Sequence, residues 1–223
     1  MEIIKWIVAV FIAVICAFLG GLYINYYVHG KKKLKVENVK KCIKNKKYIL
    51  YFFASFLIGM LIFTVGVLYG INLLQSFVNM LTILWIMPIV YLDYKYKIIP
   101  NIFIIIGLAV WVLLFIVKVI FGYRDLINEL KFSGFGLLLG GGILLLSYFV
   151  SKHGIGMGDV KMYSVIGLIY GFNNTFSILI VTLFAMFVTG IVMLIAKKAD
   201  RKSSLPMAPF TGLALLFCYC IGI

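Results

Sequence analysis

Long apolar stretches joined by short polar connections constrain this chain more than anything else in it. A helix that crosses the hydrocarbon of a bilayer needs about 20 mostly apolar residues. Eight segments qualify or come close, near residues 3–27, 48–70, 73–92, 102–121, 133–150, 160–171, 175–196 and 206–222. The sixth is too short to span alone, so it is a partial span or continues past Gly171. The pattern predicts an all-α polytopic integral membrane protein, with one membrane-embedded domain over residues 1–223 and no soluble domain. A mean hydropathy of +1.13 lies beyond the range of soluble domains. The first apolar run is longer than the core of a signal peptide and ends without a clear small-x-small cleavage site, so it is expected to be a retained helix.

The net charge of +14 would fit a nucleic-acid partner, but its distribution fits topology better. With the N-terminus outside, 17 of the 21 basic residues fall on the cytoplasmic side, and only Lys5, Lys118, Arg124 and Lys131 remain for the other. That asymmetry is the positive-inside rule at work. It predicts a multi-pass protein of the cell membrane, with no nucleic-acid partner. The largest polar stretch, residues 28–47, is a basic cytoplasmic loop suited to anionic lipid headgroups. A second basic loop, 197–204, leads into Pro206-Met207-Ala208-Pro209-Phe210, where two prolines predict an irregular helix start. Cys16, Cys42, Cys218 and Cys220 form no C-x-x-C pair, so no zinc site of ordinary spacing is expected.

Acids are scarce: Glu2, Glu37, Asp93, Asp125, Glu129, Asp159 and Asp200 are all there are. Asp125 and Glu129 are assigned to a polar loop, Tyr123–Lys131, outside the membrane. Only Asp93 and Asp159 lie directly against long apolar segments, one ending the third and one opening the sixth. Ionisable groups are costly there and mark functional sites. Pro100 directs Ile99 away from helix and suits the first turn of the next one, which puts Asp93 at a helix–loop–helix corner. Asp159 follows Gly154, Gly156 and Gly158, whose spacing allows an extended or turning backbone that another segment can approach closely. By itself Asp159 would serve as an ordinary helix N-cap.

The pair says more than either member. The charge split puts both acids on the cytoplasmic side. Two carboxylates sharing a site hold a proton between them. One then takes a proton from water as it attacks a peptide carbonyl, while the other polarises that carbonyl and protonates the leaving amine. His29 and His153 are the only histidines, and Ser151, Ser203 and Ser204 lie near loop lysines, but no nucleophile–base constellation competes. Gly140, Gly141 and Gly142 lie within an apolar helix and read as close packing, not a phosphate loop.

These motifs resemble the type IV prepilin peptidases, membrane aspartic proteases with a GxGD signature. Gly156-Met157-Gly158-Asp159-Val160-Lys161 is similar to the family's GxGD-x-K, and Asp93 with Pro100-Asn101 to its first aspartate motif. Pro206–Phe210 resembles the start of its last helix, and Gly21-Leu22-Tyr23-Ile24-Asn25 is a looser echo of its G-S-F-x-N. The resemblance implies cleavage of prepilin or pseudopilin leader peptides at the cytoplasmic membrane face. It implies Asp93 and Asp159 as catalytic residues, with Gly154, Gly156, Gly158, Lys161, Pro100 and Asn101 shaping the site. Many bacterial members bind zinc through two C-x-x-C pairs and methylate the product. Here the matching loop holds only Cys42, so no metal, no cofactor and no methyltransferase activity are expected. Two alternatives stand beside this reading: a presenilin-like or signal-peptide-peptidase-like GxGD protease, and a proton-coupled transporter with the acids as a relay.

Overall fold

The computed structural model describes residues 2–28, 46–120, 125–150, 155–196 and 205–222. The sequence features Gly154, His29, His153, Ser151, Ser203, Ser204, Cys42 and the basic stretches 29–45 and 197–204 lie outside the described residues. The helices are α1 (Glu2–Val28), α2 (Lys46–Leu68), α3 (Leu73–Tyr96), α4 (Asn101–Ile120), α5 (Leu126–Leu137), α6 (Ile143–Val150), α7 (Met157–Ile195) and α8 (Ala208–Ile221). A π-helical turn, Leu138–Gly142, joins α5 to α6. There is no strand among the described residues, and six helical stretches are long and apolar enough to cross a membrane, with α8 shorter. The protein is an all-α multi-pass membrane protein.

The eight apolar segments correspond to these elements, with three differences. The third helix runs to Tyr96 instead of stopping near residue 92, so Asp93 lies inside its last turns. Lys95 there complements the negative end of the helix dipole. The fifth begins at Leu126, not near 133, and Glu129, assigned to a loop, falls in its first turn. A carboxylate is favourable at that end, and Glu129 also receives the Lys118 ammonium at 2.6 Å. The sixth and seventh segments run on as one helix, α7, kinked where Gly171 takes φ 68°. That backbone conformation suits glycine, which has no Cβ to clash.

The helices divide into two compact units, residues 1–95 with 215–223, and residues 96–214. In the first unit, Ala9 and Ala13 of α1 give the chain room to pack on Phe63 of α2 and on Met80 and Leu84 of α3. Trp6 meets Phe63 edge-on at 5.2 Å, and Phe77 packs on Phe63 at 4.9 Å. α2 ends in a Schellman turn: Gly70 at φ 67° donates its N–H to Val67 O, and Ile71 donates to Gly66 O.

In the second unit α5 and α7 cross with their main chains nearly touching. A Cβ on Gly136 would overlap Gly167 O and sit 2.7 Å from Gly171 C. One on Gly140 would lie 2.5 Å from Tyr163 O. Both helices thus present a glycine four residues from another, the small-xxx-small spacing that lets membrane helices approach closely. The hydroxyl of fully buried Tyr163 donates to Thr182 at 2.7 Å and lies 3.1 Å from Thr211, which ties both halves of α7 to the start of α8. α8 starts between the two prolines, with Pro209 at its second residue, a position that tolerates the missing N–H.

Candidate active site

In the first unit, Asp93 is buried at 6% exposure, the one charged residue so buried among the described residues. Its neighbour Leu92 is fully buried and Tyr94 is 75% exposed, so the helix turns Asp93 inward with its apolar face. α3 then stops at Tyr96, because Lys97 adopts a left-handed backbone, φ 53°. Ile98, Ile99 and Pro100 are non-helical, as the proline requires of the residue before it. Pro100 precedes α4, and its carbonyl accepts the Phe103 N–H at 3.1 Å.

In the second unit, α7 opens at Met157 with Gly156 as its N-cap, in extended backbone (φ −71°, ψ 135°). The cap is therefore not Asp159, which occupies the third helical position, its N–H donated to Gly156 O at 3.0 Å. Asp159 Oδ1 is buried, and the helix dipole favours a negative charge at this end. The glycines supply space more than unusual torsions. A Cβ on Gly156 would stand 3.0 Å from Asp159 Oδ2. A Cβ on Gly158 would stand 2.9 Å from Ile99 Cβ. The start of α7 thus lies directly against the chain preceding Pro100.

A polar contact closes the same junction: Lys161 donates to Asn101 Oδ1 at 3.1 Å. Asn101, Lys161, Ile99 and Gly158 are therefore brought together, although their two motifs are 60 positions apart. Ile99 was not anticipated as a site residue. Its signal was present, as the one residue that Pro100 forces to be extended. Tyr163 was also missed, four residues after Asp159 on the same helix.

Residues 80–195 match the type IV leader peptidase family, and this stretch contains Asp93, Pro100, Asn101, Gly156, Gly158, Asp159 and Lys161. It covers just over half of the chain. The chain belongs to the type IV leader peptidase family. As a member of that family it is a membrane-embedded peptidase. The match spans α3 from Met80 through the end of α7, and leaves out α1, α2 and α8. The Gly21–Asn25 and Pro206–Phe210 motifs are thus outside the part that identifies this leader peptidase family member. No curated protein and no solved structure matches the chain.

Proposed function

We propose that this leader peptidase family member is an aspartic endopeptidase that removes the short basic leader of type IV prepilins or pseudopilins. Asp93 and Asp159 form its catalytic dyad, at the cytoplasmic face of the cell membrane, with the N-terminus outside. One observation carries the reading: within the family-matched stretch, the Asp159 end of α7 packs on Ile99, only six residues beyond Asp93 in the chain.

Asp159, at the positive end of α7, is suited to act as the base that takes a proton from water. Asp93, buried in the last turns of α3, is suited to carry the shared proton and polarise the scissile carbonyl. The attacked carbonyl becomes a tetrahedral diol, and the proton then passes to the leaving amine as the C–N bond breaks. No covalent enzyme intermediate forms. Gly158 and the Lys161–Asn101 contact fasten the start of α7 to the chain around Pro100.

Co-expression with a prepilin tests the reading. Asp93→Asn and Asp159→Asn are each expected to leave the leader uncut while the protein still inserts in the membrane. Full processing by either variant refutes it.

A further inference from the structure

The Gly21–Asn25 motif has no part in the peptidase reading, yet it builds one wall of a cleft in the first unit. The cleft is lined by Gly21, Ile24, Asn25 and Val28 of α1, Tyr48 and Tyr51 of α2, and Tyr91 and Lys95 of α3, and has a volume of about 160 Å³. It lies where α1 leads into the lysine-rich 28–47 stretch and α2 leaves it. Gly21 is what admits the tyrosines: a Cβ there would stand 2.5 Å from the Tyr48 ring. Tyr51 and Tyr91 meet edge-on at 6.3 Å, and the Lys95 ammonium lies 6.0 Å from the Tyr91 ring centre.

The lining has a definite chemistry. Lys95 brings a cation, Asn25 an amide donor and the tyrosines hydroxyl donors, with no carboxylate among the described lining residues. The Tyr51 hydroxyl is buried beside that of Ser55, one turn along α2. A ligand oxygen there would accept from the Tyr51 hydroxyl. Ile24 and Val28 make the remaining wall apolar. A cation and several donors beside an apolar wall suit an anionic oxygen group that carries carbon chains. The volume holds about five waters' worth of liquid, enough for a phosphate ester and its first carbons. The site lies at helix ends rich in tyrosine, the residue type that collects at headgroup level.

We propose that this cleft binds the phosphate headgroup of a membrane phospholipid, with Lys95 as its charge partner and Asn25 and the tyrosine hydroxyls as donors. The lipid is a structural ligand that fastens the ends of α1, α2 and α3 together, independently of the peptidase chemistry.

The full chain in detergent tests this, by thermal unfolding with dioleoylphosphatidylglycerol in mixed micelles, with inorganic phosphate, or with detergent alone. The lipid is expected to raise the unfolding temperature of the wild type. Lys95→Gln should need about tenfold more lipid for the same rise, and Tyr51→Phe several-fold more. Lys31→Gln with Lys32→Gln and Lys33→Gln, in the basic stretch, should respond as the wild type does. Circular dichroism before heating checks that each variant is folded. Equal protection of Lys95→Gln and wild type overturns the proposal. So does loss of protection only in the triple variant, which would make the effect one of diffuse charge. Protection by inorganic phosphate at the same concentration overturns the lipid assignment. A raised KM for leader cleavage in Lys95→Gln with unchanged lipid response assigns the cleft to the peptide substrate and likewise overturns it.

Discussion

Gly158→Ala puts the junction between the start of α7 and Ile99 under direct stress. The new Cβ would stand 2.9 Å from Ile99 Cβ, with Ile99 Cγ1 at 3.4 Å and Cδ1 at 3.5 Å. Comfortable carbon–carbon contact begins at about 3.5 Å, so α7 or the Ile99 backbone has to retreat by roughly 0.6 Å. Rotating the Ile99 side chain does not help, because the closest atom is its Cβ. Overpacking of this kind costs about 1–3 kcal/mol, and the better helix propensity of alanine returns at most about 1 kcal/mol. The net loss of stability is therefore modest, roughly 1–2 kcal/mol. The rate should suffer more, since a 1 Å misplacement of catalytic groups can cost about 10²-fold. A shift somewhat smaller than that predicts a fall of about 10- to 50-fold in leader cleavage by purified protein in lipid vesicles. Gly142→Ala is the control, because nothing lies within 4 Å of the position its Cβ would take. That variant should keep the wild-type rate. A wild-type rate for Gly158→Ala, or an equal loss in Gly142→Ala, would refute the reasoning.

Three further outcomes follow from the second unit. Gly136→Ala forces a side chain into the main chain of Gly167 and Gly171, where no rotamer change gives relief; it should cost about 3 kcal/mol or more, seen as a sharp drop in folded yield. Wild-type yield and melting temperature would contradict the backbone contact. Tyr163→Phe removes the hydroxyl that joins Thr182 and Thr211, but each threonine keeps a bond to its own helix, to Ile178 O and Met207 O, so the loss should be about 1–2 kcal/mol in thermal unfolding. An unchanged melting temperature would show the network to be idle. Lys161→Met breaks an exposed contact to Asn101 and should cost under about 1 kcal/mol of stability, while kcat falls about three- to tenfold. A change confined to KM would instead place Lys161 in substrate binding.

The sequence carries much of this architecture in plain form. Long apolar runs left the chain few options other than membrane helices, and the glycines before Asp159 already marked a close approach. What it hid lies at helix ends. Lys95 and Glu129 look like loop residues by hydropathy, yet the helix dipole makes a terminal Lys and an initial Glu good helix residues, so α3 and α5 are longer than their apolar cores. Asp159 reads as a cap because Asp often is one, but Gly156 fills that position and leaves the carboxylate inside the first turn. The Gly136 and Gly140 pair and the Gly167 and Gly171 pair were present as spacings, and only the fold shows that Gly136 meets Gly167 and Gly171 while Gly140 meets Tyr163. Tyr163, Thr182 and Thr211 carried the weakest signal: polar residues in apolar runs, separated by up to 48 positions, with nothing local to pair them.

The central claim is that Asp93 and Asp159 act as one catalytic unit. Single-turnover cleavage of a purified prepilin, measured for the wild type, Asp93→Asn, Asp159→Asn and the double variant, tests it most directly. If the two acids share one proton and one water, each single change should lower the rate by at least about 10³-fold, and the double change should lower it no further. A single variant that keeps a tenth of the wild-type rate, or losses that multiply in the double variant, would contradict the dyad.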